Sequence, residues 1–184
     1  MIQSPITIKD KNGTEYVFKT PKSDEAQVIL NSMAKIAVSS PYILSTPESF
    51  RAITLDSQIK WLEAAEKSDV AIIIGAYDLH GRIVGFCNGR SFTDVKRKHR
   101  AALGVSVHPE VRGLGLGKKL MEVLIQNMKS FSGIKIIELD VMTANIPAIK
   151  MYESLGFKRG GIFPKAFILP GEEVVDNLTM YMEV

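Results

Sequence analysis

The run Arg112-Gly113-Leu114-Gly115-Leu116-Gly117-Lys118 holds the densest chemical information in this chain. It follows the apolar stretch Val105-Ser106-Val107 and precedes an amphipathic one, so it reads as a strand entering a glycine-rich turn that opens a helix. With so little side-chain bulk, the backbone N–H groups of the turn can close on an anion. The helix start adds unpaired N–H groups and the positive end of a dipole. No Ser, Thr, Asp or Asn caps that start, which leaves its donors open to a ligand. The chemistry implied is phosphate binding; a plain strand-to-helix turn is the alternative for the loop taken alone.

Spacing decides which phosphate. A Walker loop would put its first glycine at Arg112 and its hydroxyl at Lys119, and neither residue qualifies. The dinucleotide fingerprint fails because Gly113 and Gly115 are followed by Lys118 where a third glycine is required. What remains is R-x-x-G-x-G, from Arg112 to Gly117. A second constellation occupies residues 138–157, E-L-D-V-M-T-A-N-I-P-A-I-K-M-Y-E-S-L-G-F. There Asn145 can cap a short helix, and Pro147 is tolerated in its first turn. Tyr152 lies on the apolar face with Ala148, Ile149 and Leu155. It offers a phenol that is neutral at pH 7 and able to give up a proton. A core tyrosine is the alternative reading.

The elements that must position these groups follow from periodicity. Residues 5–9 and 15–20 flank the turn Asp10-Lys11-Asn12-Gly13 as a hairpin. Ser23 is placed to cap a helix with the stripe Ile29, Met33, Ile36 and Ala37. Residues 39–54 hold Pro41 and Pro47 and read as a loop or broken helix. Asp56 opens a second helix, with Leu55, Ile59, Leu62 and Ala65 on one side. Val70–Tyr77 is apolar almost throughout, as in a strand covered on both faces. Arg82–Phe92 returns antiparallel to it, with Gly85 and Gly89 marking bulges or a close neighbour. Ala101–Val107 is the central strand. The helix after the loop turns Gly117, Leu120, Met121, Leu124, Ile125, Met128 and Phe131 inward. Residues 137–141 alternate as a half-exposed strand, and 157–169 with 174–184 close the chain as paired strands. A strand–helix–strand unit in the middle makes part of the sheet parallel.

Composition bounds the class. The chain has 184 residues, 46% of them hydrophobic and 23% charged. That suits a single domain spanning residues 1–184 with a sizeable core. No apolar run approaches the ~20 residues of a membrane helix, and the first ten residues do not read as a signal peptide. The lone Cys87 excludes an internal disulfide and suits a reducing, cytoplasmic setting. The three histidines are scattered, so no metal site is expected. A net charge of +3 does not argue for nucleic acid. The basic run Lys96–Arg100 lacks interleaved aromatics and reads as a solvated hairpin loop.

Both constellations, in this order, resemble the acyl-CoA segments of the GNAT superfamily of N-acyltransferases. The similarity includes P-Y-I-L-S-T-P-E-S-F near the start and D-N-L-T-M-Y near the end. It looks closest to the bacterial branch related to ribosomal-protein and small-amine acetyltransferases. The resemblance implies a mixed α/β fold: a mostly antiparallel sheet of about seven strands with about four helices, splayed between its fourth and fifth strands. Those are carried over onto Ala101–Val107 and Lys135–Val141. It further implies that main-chain groups of Val105 and Val107 pair with the pantetheine arm. N–H groups of Arg112, Gly113, Leu114, Gly115, Leu116, Gly117 and Lys118 would hold the pyrophosphate, and Asn145 would contact acetyl-CoA. Tyr152 would then protonate the departing thiolate while central-strand N–H groups stabilise the oxyanion.

The expected reaction is direct transfer of an acetyl group to a primary amine: a small amine, an amino acid, an antibiotic or a protein N-terminus. Relatives often carry a glutamate in the central strand, where this chain has Ala102; the general base is therefore unassigned. The acceptor pocket is expected from the first third of the chain, with Tyr42, Phe50 and Trp61 as substrate-facing or packing residues. Homodimers are common among such proteins. A non-catalytic acyl-CoA sensor is the alternative that Ala102 favours, and a nucleic-acid module would rest on residues 96–100 alone.

Overall fold

The computed structural model describes residues 1–184. Its strands are β1 (Ile6–Lys9), β2 (Glu15–Lys19), β3 (Ala71–Tyr77), β4 (Ile83–Ser91), β5 (Arg100–Val107), β6 (Ile136–Met142), β7 (Lys158–Ile168) and β8 (Val174–Glu183). Its helices are α1 (Ala26–Val38), α2 (Pro47–Ala52), α3 (Leu55–Lys67), α4 (Leu116–Met128) and α5 (Ile146–Ser154). One eight-stranded sheet takes the order β1-β2-β3-β4-β5-β6-β8-β7. Every neighbouring pair is antiparallel except β5 and β6, which the α4 crossover makes parallel. The sheet thus has eight strands where about seven were expected, and five helices where about four were. The extra helix is α2, inside the stretch read as a loop or broken helix. Thr46 caps it by accepting from the Ser49 N–H, with Pro47 in its first turn.

Two apolar layers cover the sheet. On one face α4 buries Leu116, Leu120, Met121, Leu124 and Met128, and α5 buries Ile149 and Tyr152, all against odd-numbered residues of β5 and β6. On the other face α1 and α3 pack Ala26, Ile29, Leu62 and Ala65 against Ile73, Tyr77 and Phe86. Period-2 alternation along each strand separates the two layers. The glycines of β4 mark close neighbours: a Cβ at Gly89 would sit 2.3 Å from Met128 Sδ, and one at Gly85 would sit 2.9 Å from Leu120 Cδ1. α4 lies directly on β4 at these positions.

Some local expectations are corrected. Ser23 does not cap α1; it begins a short 3-10 turn in which the Glu25 carboxylate accepts from the Lys22 N–H. The chain at Ser23 has already entered a helical turn, so its hydroxyl stands where no free N–H needs it. At α3 the cap is Thr54, which accepts from the Ser57 N–H, and Asp56 sits in the first turn. Leu55 is largely exposed rather than part of the buried stripe, because the helix turns Gln58, Leu62 and Ala65 inward.

Replacing Gly89 with alanine should lower stability by about 1–3 kcal/mol, since the fully buried Met128 side chain would have to shift within the core. Urea denaturation measures this. An unchanged midpoint would show that α4 does not press on β4 as described.

Candidate acyl-CoA site

The sheet opens between β5 and β6. Their pairing consists of Arg100 with Ile136, Ala101 with Ile137 and Ala102 with Glu138, and then stops. Ladder phase shows which groups are left bare. Phe92 N–H donates to Arg100 O, and His108 N–H to Val84 O. Antiparallel residues alternate between bonded and non-bonded pairs, so the even-numbered residues of β5 bond to β4. Val105 and Val107 therefore turn their main-chain groups toward β6, which has already parted. Thr143 N–H donates to Asp176 O, so the odd-numbered residues of β6 bond to β8. Asp140 and Met142 consequently present their main chains to the gap. The Val107 carbonyl accepts from Arg112 Nε at 3.2 Å, and the Met142 carbonyl accepts from the Asn145 N–H at 2.9 Å. What stays open is the edge of two strands held too far apart to bond each other.

At the mouth of this gap lies the glycine loop. Gly113 and Gly115 adopt φ of +77° and +86°, which a side chain would strain, and Gly115 is the residue before the first turn of α4. From Gly113 to Lys118 no backbone N–H has an acceptor anywhere in the chain; the first to find one is Lys119, which donates to Gly115 O. Six consecutive donors at a helix start, with no acidic side chain in the first turn, form a strongly anion-seeking surface. The carbonyls of the loop are held from behind. Leu114 O accepts from the Lys11 N–H at 3.1 Å and Gly113 O from Lys11 Nζ at 3.3 Å. Lys11, in the turn between β1 and β2, carried no sign of this role in the sequence; only tertiary contact reveals it.

Arg112 differs from its neighbours. Its N–H is used by Pro109 O, and its guanidinium reaches the carbonyl and hydroxyl of Ser39 at 2.9 and 2.6 Å. It fastens the loop to the end of α1. Gly117 has an ordinary helical φ, and a Cβ there would make normal contacts with Met151 and Val107.

Tyr152 points from α5 into the layer beneath α4, edge-on to Phe157 at a centroid distance of 6.0 Å. Its ring is buried, yet its hydroxyl has no hydrogen-bond partner and is not sealed from solvent. Burial pushes the phenol up to about 12. It therefore stays protonated through the physiological range. Asn145 caps α5, its Oδ1 accepting from the Ala148 N–H at 3.4 Å.

On the opposite face, a cavity of about 320 Å³ is lined by residues from α1, α2 and α3 together with Phe86. Phe50 and Trp61 belong to it. Tyr42 does not; it packs beside Met142, Leu169 and Val175 under the β7–β8 hairpin. In the basic run, Arg97 pairs with Asp94 and Arg100 with Glu138, and both guanidinium groups lie over Phe92.

Comparison with known proteins gives this arrangement its class. Residues 30–157 match the acetyltransferase (GNAT) family. A plant protein, the catalytic subunit NAA20 of the N-terminal acetyltransferase B complex of Arabidopsis thaliana, is 36% identical over 76 residues, 41% of this chain and 44% of that protein. An N-alpha-acetyltransferase of Sulfurisphaera tokodaii is 24% identical across 80% of this chain and 83% of its own. Among solved structures, a GNAT-family acetyltransferase from Streptococcus pneumoniae superposes with a TM-score of 0.86 at 18% identity, covering 92% of this chain and 99% of that one. The chain belongs to the GNAT acetyltransferase family, and its class of activity is acetyl-CoA-dependent N-acetyl transfer.

Gly115→Ala should raise the KM for acetyl-CoA about tenfold, the equivalent of the ~1–2 kcal/mol an L side chain costs in the left-handed region. Steady-state kinetics measure it. A KM equal to that of the parent would mean that the loop conformation is not needed for the donor.

Proposed function

We propose that this chain moves the acetyl group of acetyl-CoA directly onto the α-amino group of an amino acid or of a peptide N-terminus. The observation that carries the reading is the unbroken run of unpartnered N–H groups from Gly113 to Lys118, set at the mouth of a split sheet. The diphosphate of the donor fits that surface by charge and by donor count. The bare edges at Val105 and Asp140 suit an extended, amide-bearing arm, which can bond to them as an inserted strand would. Asn145 keeps its side-chain amide nitrogen free of protein partners, which suits a donor to the same ligand. Lys118 adds favourable charge near the phosphates.

The chemistry then runs through few groups. The free amine attacks the thioester carbonyl, and main-chain N–H groups of β5 receive the developing oxyanion. The carbon–sulfur bond breaks, and Tyr152 gives its proton to the departing sulfur. Its phenol is suited to this by being uncharged and unpartnered, with its ring buried and its hydroxyl still accessible. The choice of an α-amine follows the activities of similar proteins, among them the Sulfurisphaera tokodaii N-alpha-acetyltransferase and an L-amino acid N-acetyltransferase of Escherichia coli, 29% identical over 62% of this chain and 70% of that one. The apolar cavity of Phe50, Trp61 and Phe86 would receive the side chain beside that amine. Cys87, buried against the Leu120 carbonyl, is compatible with a reducing, cytoplasmic setting.

The test is release of free CoA from acetyl-CoA across a panel of free amino acids and short peptides with unblocked N-termini. Release with acetylated product is expected. CoA binding without release would leave a non-catalytic acyl-CoA sensor, and no binding at all would refute the site itself.

Tyr152→Phe should cut kcat by about 10²–10⁴-fold while acetyl-CoA affinity stays within about twofold, because only the proton is removed. Near-parental turnover would remove Tyr152 from the mechanism. With the phenol at about 12, loss of the donor should produce no falling alkaline limb in kcat below about pH 10. A limb near pH 9 that disappears in Tyr152→Phe would contradict this.

A further inference from the structure

Resting on the reaction just proposed, one requirement has no residue against it. An α-amine is largely protonated at neutral pH and below, since its ordinary pKa is about 8. It cannot attack until a proton leaves. The mechanism so far supplies a donor for sulfur and no acceptor for nitrogen.

The last rung of the β5–β6 ladder joins Ala102 to Glu138. Paired residues in a sheet place their side chains on the same face. Ala101 and Ile137, one residue earlier, both enter the core layer beneath α4, so Ala102 and Glu138 face the other way, toward the layer of α1 and α3. Tyr152 lies in the α4 layer. The proton donor and the Glu138 carboxylate therefore belong to opposite faces of the sheet. That separation keeps the group that serves the attacking amine apart from the group that serves the departing sulfur. Ala102 and Gly104 leave the strand beside Glu138 almost free of side-chain bulk, and the nearest neighbour of a Cβ at Gly104 would be Asn88 Oδ1 at 3.6 Å. An approaching amine has room there.

The carboxylate is also held so that one oxygen is spare. Arg100 Nε donates to Glu138 Oε2 at 2.6 Å, and Arg100 Nη2 converges on the same oxygen. Oε1 receives no hydrogen bond from the protein and is not among the sealed, unpartnered atoms, although the side chain is only 16% exposed. A mostly buried carboxylate oxygen without a partner is unfavourable unless a ligand or water completes it. The charged or titratable groups next to Glu138 on this face are Arg90 across Ala102, Asp140 two residues on, and Tyr181 opposite on β8 with its Lys158–Glu183 pair; farther along the same face are Tyr77 and the Lys19–Glu25 pair. Asp140 is committed differently: its Oδ1 accepts from both Asn177 and Thr179, and it is exposed.

We propose that Glu138 is the catalytic group that receives the acceptor ammonium at Oε1 and takes its proton, filling the role that Ala102 leaves empty. The balance is complete. The ammonium proton passes to Glu138, the nitrogen pair forms the carbon–nitrogen bond, the carbon–sulfur bond breaks, and sulfur takes the Tyr152 proton. After the amide forms, the second nitrogen proton leaves to solvent, Tyr152 is reprotonated, and Glu138 releases its proton. The net products are the amide, CoA and one proton. Arg100 is a positioning residue that fixes the carboxylate without occupying its working oxygen.

The experiment compares parental protein with Glu138→Gln, using the best peptide acceptor of the panel above and the same peptide carrying an aminooxy terminus, which is already neutral at the assay pH. For the ordinary peptide, kcat/KM at pH 7 should fall about 10²-fold or more, and the deficit should shrink as pH rises past the pKa of the amine. For the aminooxy peptide the fall should be about threefold or less, with acetyl-CoA affinity unchanged in both. Equal losses on the two acceptors, or equal loss of acetyl-CoA affinity, would mean that Glu138 only supports the fold and would overturn the proposal. So would parental rates in Glu138→Gln. Should that variant fail to fold, Glu138→Asp, which keeps the charge and retracts it, must show the same acceptor-dependent deficit for the proposal to stand. An inactive parental protein would instead refute the acetyltransfer reading itself.

Discussion

Everything in this molecule turns on the separation of two strands that should be neighbours. Parallel strands β5 and β6 share three rungs and then part, leaving main-chain donors and acceptors at Val105, Asp140 and adjacent positions without partners. Unpaired backbone groups in a protein interior are unfavourable. The fold tolerates them because both strands are secured from their outer sides, β5 by seven rungs to β4 and β6 by seven to β8. The crossover helix α4 wedges beneath the sheet, its Leu120 and Met128 seated against the glycines of β4. The opening is thus built by packing elsewhere, and its edges are left as a template for an extended ligand.

The same split organises the chemistry. Its mouth meets the start of α4, where six N–H groups stand unpaired and Lys11 holds the loop carbonyls away from them. Its head divides the two faces of the sheet. Tyr152 belongs to one face, Glu138 and the apolar cavity to the other. In the proposed reaction, phosphate recognition, proton donation and access for an amine are thereby kept in separate regions by one topological feature. Arg112 links them mechanically, since its side chain spans from Val107 at the strand end to Ser39 at the end of α1.

Much of this was legible in the sequence because it is local. The glycine loop, the missing cap on α4, the Asn145 cap on α5 and the strand boundaries all follow from residue type and spacing. The opening between residues 101–107 and 135–141 was expected only through family resemblance, and the pairing that stops after three rungs shows it; counted along the chain these are the fifth and sixth strands, one later than the fourth and fifth of the resemblance. What could not be read was non-local. Nothing in Asp10-Lys11-Asn12-Gly13 says that its lysine reaches Gly113 across the fold. Nor could register be read before β5 and β6 were aligned, so Glu138 gave no sign of standing beside Ala102. Ser23 misled for a related reason: cap preference is a local statistic, and the chain there enters a 3-10 turn one residue earlier.

The bare backbone of the split sheet and the glycine loop is the proposed acetyl-CoA surface. Amide hydrogen exchange, followed with and without saturating acetyl-CoA, addresses it directly. Slowed exchange is expected only in residues 105–118 and 140–146, with the outer strands β1 to β3 unchanged. Slowed exchange elsewhere, with those two segments exchanging as fast as in the free protein, would contradict it.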